Sequence, residues 1–569
     1  MLHYQIEFDD YRQHLVHVTL RFLADPTQVL SLPTWIPGSY LIREFSKHIE
    51  SVRAYDEAGR MLKISKFEKN KWRLFNTDHE LITVEYDVYA YDLSVRGAYV
   101  DQTRLYINPA CLCLGLDGQE HKEVEVEVFL PPELKHFQIA TGLASKSLVK
   151  GRFTLKAENY AQLIDSPFEL ADQTRFSFEA NGIPHEFVVS GKHAMNAARM
   201  QQDIEKICAT EISMFGSAPF KNYTFMTMAT GNSYGGLEHS NSTSLISPRD
   251  DLPKADEPEE PSADYQRFLG LCSHEYFHSW LVKFIRPENF VNYDLNQEGY
   301  TSLLWIFEGF TSYYDDLILL RSGVISQESY IKLLKAQIDR YLQNPGREIQ
   351  SVSESSFDAW VKFYRQDENS NNAGTSYYNK GCLVALCLDL GLRLRGSSLD
   401  ALMRKLYENA QNGIQVNERT IVEICNELTG DNWIEQINHL INTTDELPLD
   451  QLLPEFGFSY TLKNDKSLPL GLKLVDKHEG VLVQSARRDG VAVQAGLSAN
   501  DVIVAIDGIK ATVKLVEKYA KQAGTYTVFA FRRDELMQFE VQTGGSNLTE
   551  VELAVADQNK ADNWLKVNG

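Results

Sequence analysis

The pattern of apolar and polar positions changes twice along the chain. Segments such as Leu15 to Phe22, Leu81 to Tyr91 and Val124 to Phe129 are short, β-branched or aromatic, and partly alternating. Turn residues such as Asp117-Gly118 and Pro131-Pro132 separate them. This spacing predicts a β-sandwich-like domain over residues 1–192. From about Met195 the period lengthens, and residues 195–215 read as an amphipathic helix. Tyr223 to Ala229 reads as a strand, and residues 249–263 form an acidic, proline-bearing loop. Beyond Asp264 the pattern stays mostly helical to about residue 445, so residues 193–455 are expected as a second domain with a helical C-terminal half. Residues 456–545 return to short strands, with turns at Glu479-Gly480, Asp489-Gly490 and Asp507-Gly508, and predict a separate small domain. Residues 546–569 read as a polar tail. The pattern as a whole predicts a multidomain α+β protein.

Composition narrows the function classes. With 43% hydrophobic and 24% charged residues in 569, the chain can build large cores and is not a disordered protein. A formal net charge of −22 argues against general nucleic-acid binding, which needs a basic face, and against docking on anionic lipid. No apolar run approaches the roughly 18 residues of a membrane helix. The opening MLHYQIEFDDYRQHLVHV has charge by position 8 and lacks the apolar centre of a signal peptide. Seven cysteines without a C-x-x-C pair argue against a thiolate zinc site or a disulfide framework. The expectation is a cytoplasmic protein with reduced thiols and no nucleic-acid or membrane partner.

The strongest chemical signal is His274-Glu275-Tyr276-Phe277-His278, inside the apolar, helix-compatible run from Tyr265 to Phe284. On a helix, positions i and i+4 share a face, so both imidazoles can meet one metal ion. Glu275 falls on the adjoining face, within reach of a water on that ion. A catalytic zinc needs a third protein ligand and one open position. Glu298 and Glu308 compete for that place. Glu308 is preferred, because Leu303, Leu304, Ile306, Phe307 and Phe310 predict a buried helix, where a carboxylate is costly unless paired or metal-bound. Glu298, in the more polar Leu295-Asn-Gln-Glu-Gly-Tyr300, reads as a solvated acid.

These residues resemble the gluzincin aminopeptidases. In their best-known branch the glutamate ligand comes nineteen positions after the second histidine, which here is Gln297 and cannot ligate. Glu308 lies thirty positions after His278. That interval, with Trp305-x-x-Glu308-Gly-x-Thr-x-Tyr-Tyr314, resembles the glycyl aminopeptidase family of zinc peptidases, whose members often carry a PDZ domain. Trp35-x-Pro-Gly-Ser-Tyr40, Arg43 and Val95-Arg-Gly-Ala-Tyr-Val-Asp101 resemble the family's N-terminal domain. Gly235-Gly236-Leu237-Glu238-His239 resembles the G-[AG]-M-E-N segment that binds a free amine, departing at Leu237 and His239. Tyr378-Asn-Lys-Gly381 resembles the Y-x-K-G segment of the supporting tyrosine, with Tyr377 as the adjacent alternative. Leu470-Gly471-Leu472 and Ala495-Gly-Leu-Ser-Ala-Asn-Asp-Val-Ile503 look like a PDZ domain with its groove loop.

The resemblance implies a thermolysin-like catalytic domain over residues 193–455 and a PDZ domain over residues 456–545. It implies one Zn2+ per chain on His274, His278 and Glu308, with Glu275 as general base and Tyr378 stabilising the oxyanion. Gly235, Gly236 and Glu238 would bind the substrate, Glu238 pairing with its α-ammonium. The expected activity is removal of small N-terminal residues, glycine or alanine, from peptides with a free N-terminus. A peptide or protein C-terminus is the expected partner of the PDZ groove. The alternatives are a PDZ-assisted zinc endopeptidase and a non-enzymatic PDZ adaptor.

Overall fold

A computed structural model describes residues 1–75, 80–463, 470–544 and 549–566. The chain divides into two compact units. One comprises Met1–Tyr300, Ile318–Ile325 and Met403–Val416; the other comprises Thr301–Leu317, Ser326–Leu402 and the chain from Asn417 onward. The architecture is multidomain α+β, with a β-rich N-terminal region, a helical region after it and a further group of strands near the C-terminus.

The first unit opens with a mixed eight-stranded sheet. Its order is Ala144–Val149, Arg152–Ala157, Val124–Phe129, Leu2–Glu7, Leu15–Leu23, Leu81–Tyr89, Ile49–Tyr55, Met61–Leu62. Alternation sets its inner face: Leu2, Tyr4 and Ile6 are buried while their neighbours are partly exposed, and Val124, Val126 and Val128 do the same on the parallel partner. Two four-stranded sheets complete this region.

A separate, five-stranded sheet carries chemistry. Its strands are β1 (Thr174–Ala180), β2 (Ile183–Ser190), β3 (Tyr223–Thr230), β4 (Gly235–His239) and β5 (Ser242–Pro248), in the order β1-β2-β3-β5-β4. The sheet draws its strands from both sides of residue 192. The hairpin β1-β2 pairs in parallel with β3, from His185 opposite Tyr223 to Ser190 opposite Met228. The reason lies in β2, where Phe187, Val188, Val189 and Ser190 are all fully buried without alternation, as in a strand covered on both faces.

Helix α1 (Ala197–Phe215) matches the expected amphipathic helix. Asn196 caps it by accepting from Arg199 N–H, and Gly216 ends it in the left-handed region at φ 85°. Helix α2 (Ala263–Phe277) is capped by Ser262 and carries the zinc motif on its last turn. The expected run to Phe284 stops early, and His278 is the C-cap. Trp280, Leu281, Val282 and Ile285 are too apolar to stay out of the core, and the chain folds back to bury them. Ile285 N–H donates to Trp280 O at 2.7 Å, and Val282 takes φ 100° to close the turn.

In the second unit, α3 (Leu304–Phe307) and α4 (Gly309–Arg321) flank Glu308, followed by α5 (Gln327–Leu342) and α6 (Asn379–Arg393). Further on come β6 (Phe458–Lys463), β7 (Leu472–Lys477), β8 (Gly480–Ala486), β9 (Val502–Ile506), helix α7 (Val513–Ala520), β10 (Ala523–Arg532) and β11 (Glu535–Gly544). Strands β7-β8-β9-β10-β11 form an antiparallel sheet in that order, with the short strand Ile509–Lys510 beside β9. Val481, Val483, Ile503, Ile506, Val528 and Phe539 make a core separate from the rest.

Within the segment expected as a polar tail, residues 549–566 are folded. Strand β12 (Glu550–Val555) pairs with β6, Phe458 opposite Val555, and is followed by helix α8 (Gln558–Leu565). Trp564 anchors it: fully buried, it packs on Phe458 and donates from Nε1 to Tyr313 Oη at 2.9 Å. Polar composition concealed one large apolar anchor.

Candidate metal centre

Helix α2 brings His274 and His278 onto one face, as the i, i+4 spacing requires. Their Nε2 atoms lie 3.1 Å apart. The turn after the helix fixes the state of the second ring. His278 Nδ1 lies 2.8 Å from Leu281 O. A carbonyl only accepts, so Nδ1 holds the hydrogen and Nε2 presents its lone pair. Two ring nitrogens converging in this way fit a shared cation. Tetrahedral zinc with bonds of about 2.0–2.1 Å would separate them by about 3.3 Å.

Two carboxylates join the cluster. Glu275 from α2 and Glu238 from edge strand β4 are both buried, at 5% exposure each. One ligand atom from each lies with a His278 nitrogen inside a 4.8 Å circle. Buried carboxylates so close together repel each other unless a cation offsets them. Donor type, ring tautomer and charge therefore all fit a divalent ion with nitrogen ligands.

Glycines make room for these acids. A Cβ on Gly236 would sit 2.2 Å from Glu275 Oε1, so the second glycine of the Gly235-Gly236 pair lets β4 pass directly over the helix. Gly38, at φ 91°, lies against Glu238, and a Cβ there would sit 2.1 Å from its Oε1. Gly38 belongs to the Trp35-x-Pro-Gly-Ser-Tyr40 segment. Its glycine marks a turn in the sequence, but nothing in the sequence links it to Glu238. Trp35 holds that segment in place by packing edge-on to Phe290 and Tyr293.

A further clamp was also not legible. Asp165 accepts from Ser240 N–H at 3.0 Å, binds His239 Nδ1 at 3.2 Å and pairs with Lys283 Nζ at 2.6 Å. Burial pushes its carboxyl up, but Lys283 and His239 outweigh burial and hold it well below the ordinary carboxylate range. It ties the end of β4, next to Glu238, to the turn that follows His278. A cavity of about 910 Å³ opens here, lined by Ile36, Pro37, Glu238, His239, Lys283 and Tyr293 among others.

In the second unit Glu308 is 2% exposed and occupies the junction of α3 and α4. Gly309 and Gly381 let α4 and α6 cross with backbones nearly touching, since a Cβ on Gly309 would lie 2.6 Å from Gly381 Cα. Tyr377 is fully buried, and burial, reinforced by Tyr364 and Glu308, drives its phenol pKa well above 10. Tyr378 is half-buried, at the N-terminus of α6, and its hydroxyl meets that of Tyr364 at 3.1 Å. Glu298 lies in the loop before Thr301, partly exposed. Leu470 and Gly471 precede β7, and Leu472 begins it. Gly471 takes φ 77°, and its carbonyl accepts from Arg487 N–H at 2.7 Å. Leu470, Leu472, Val516 and Tyr519 line a slot of only about 20 Å³ between β7 and α7.

Comparison with known proteins follows the same residues. Residues 3–172 match the Peptidase M61 N-terminal domain, and residues 267–384 match the M61 glycyl aminopeptidase family. A crystal structure described as an aminopeptidase N family protein from Idiomarina loihiensis is 40% identical. The alignment covers 99% of this chain and 100% of that one, with a TM-score of 0.95. The chain belongs to the M61 glycyl aminopeptidase family. As an M61 protein it is a metallopeptidase. More distantly, an M1 zinc metallopeptidase from Deinococcus radiodurans aligns at 13% identity over 79% of this chain and 94% of its own, TM-score 0.47. Yeast LTA4 hydrolase aligns at 12% identity over 80% and 69%, TM-score 0.49. No curated protein matches the chain. Among the described residues no helix is long and apolar enough to cross a membrane.

Proposed function

We propose that this M61 protein is a zinc-dependent aminopeptidase that removes small N-terminal residues, glycine or alanine, from peptides. The observation that carries the reading is the pairing of two buried carboxylates, Glu275 and Glu238, beside His278. One acid suffices to move a proton. A second, on an edge strand one side chain away, suits a substrate's α-ammonium and places the scissile bond one residue from the chain end.

In this reading His274, His278 and Glu308 hold one zinc ion per chain. Bound there, zinc supplies a Lewis acid that lowers the pKa of a water at its open position toward about 7. Glu275 takes the water proton and returns it to the leaving amine. Tyr378 donates its hydroxyl to the developing oxyanion; its partial exposure favours it over the enclosed Tyr377. Gly235 and Gly236 leave the peptide room beside β4, and Glu238 anchors its amine. The C-terminal sheet with α7 is read as a PDZ domain whose loop Leu470-Gly471-Leu472 receives a peptide C-terminus. The narrow slot there suits a small terminal side chain.

The test is hydrolysis of glycyl-, alanyl- and leucyl-arylamides and of N-acetylated peptides, with zinc content measured on the same protein. Chelator-sensitive release from the free-amine glycyl and alanyl substrates is expected, with acetylated peptides inert. Glu275→Gln should keep its zinc and lose at least about a hundredfold in kcat. Cleavage of acetylated peptides at full rate would replace this reading with an endopeptidase, and equal rates on glycyl and leucyl substrates would remove the small-residue preference.

A further inference from the structure

The segment between Tyr364 and Tyr378 is gripped by the C-terminal module. Asn372, only 6% exposed, uses both ends of its amide on the module's backbone. Its Nδ2 donates to Ala486 O at 2.8 Å, and its Oδ1 accepts from Arg488 N–H at 3.0 Å. Arg488 Nη2 reaches Asn369 Oδ1 at 3.0 Å, and Arg487 Nη1 reaches Gln343 O at 2.7 Å. Beyond Asn372 the segment is tied to the helical region. Gly374 O accepts from Asn344 Nδ2, Thr375 N–H donates to Gln350 Oε1, and Thr375 O accepts from Ser355 Oγ. Three residues later comes Tyr378.

We infer that Asn372 is a positioning residue for Tyr378, so that the C-terminal module is a working part of the active site. This rests on the assignment of Tyr378 above. A hydroxyl that donates to an oxyanion must lie within hydrogen-bond distance of it, and displacing a catalytic group by about 1 Å can cost about a hundredfold. An asparagine amide spanning one carbonyl and one N–H fixes both the position and the tilt of the segment, which a single contact would not. Arg487 extends the line. Its side chain grips Gln343 while its own N–H holds Gly471 O, so the loop Leu470-Gly471-Leu472 and the tyrosine segment share one set of hydrogen bonds.

The test is a double-mutant cycle on the full-length zinc protein with a glycyl-arylamide. Asn372→Ala should lower kcat between about tenfold and a hundredfold, with KM and zinc content unchanged. In a Tyr378→Phe background the same substitution should cost nothing further, because the group it positions is gone. Asn372→Asp, which keeps the acceptor for Arg488 and loses the donor to Ala486, should fall between. A purely structural role would give the same loss in both backgrounds, and that result would overturn the inference. A wild-type kcat in Asn372→Ala beside an impaired Tyr378→Phe would also overturn it, leaving the tyrosine assignment standing. A wild-type kcat in Tyr378→Phe would overturn the assignment and the inference together.

Discussion

At the residue scale, the candidate centre depends on positions where a side chain is missing as much as on those where one is present. Gly38 is the clearest case. Alanine there would meet Glu238 Oε1 at 2.1 Å in a backbone conformation, φ 91°, that L-residues avoid. The expected result of Gly38→Ala is a displaced Glu238. KM for free-amine peptides should rise about tenfold or more, since one charge-assisted contact is worth roughly 1.5–3 kcal/mol. Zinc content should stay unchanged. Asp165 gives a pH signature. Its carboxyl is depressed in the folded state, so its contribution to stability is complete above the unfolded value near 4. That contribution is lost as the pH falls through the lower, folded value. Asp165→Asn should therefore cost about 3 kcal/mol at pH 7, where Lys283 is left without its partner. In urea titrations the gap between variant and wild type should narrow progressively as the pH falls below about 4. A constant gap across that range would show that the clamp is not electrostatic.

At the element scale, the two helices that begin just after Glu308 and Tyr378 meet at Gly309 and Gly381, with no room for a methyl on either. Glycine inside a helix costs about 1 kcal/mol relative to alanine, so the presence of Gly381 within α6 is explained by packing. Gly381→Ala should push α4 and α6 apart and lower kcat, even though it raises intrinsic helix propensity. Circular dichroism and zinc content would separate misplacement from unfolding. Much of this was legible beforehand. The i, i+4 histidines, the buried setting of Glu308 and the strand-helix-strand order follow from local periodicity. What escaped is non-local. Helix α2 stops at Phe277 because Trp280, Leu281 and Ile285 find a core that only the folded chain provides. The Leu281 carbonyl that orients His278 is backbone and has no residue signature. Strand β2 joins β3 through a parallel pairing across the whole of α1, a distance at which sequence periodicity says nothing.

At the scale of the whole molecule, the polar last segment closes back on the unit that carries Glu308. Trp564 is fully buried against Phe458 and Tyr330, and its N–H meets the hydroxyl of Tyr313, which itself donates to Asp389 at 2.7 Å. Tyr313 lies five residues after Glu308 on the adjoining helix. Strand β12 adds to the hold, since Val551 N–H donates to Asp339 on α5 at 2.8 Å. Removing a buried tryptophan typically costs about 3–5 kcal/mol, a large part of a domain's net stability. Trp564→Ala should therefore lower the urea midpoint sharply. Trp564→Phe keeps most of the volume and forfeits the bond to Tyr313, so it should cost little more than about 1 kcal/mol beyond its smaller area. If instead both variants unfold at the wild-type midpoint, the segment adds nothing to the stability of the unit it covers. If the alanine variant is destabilised but keeps its zinc below its transition, the anchor supports the fold without tuning the metal site. Loss of zinc before global unfolding would mean that the contact at Tyr313 reaches Glu308 through the first turns of its helix.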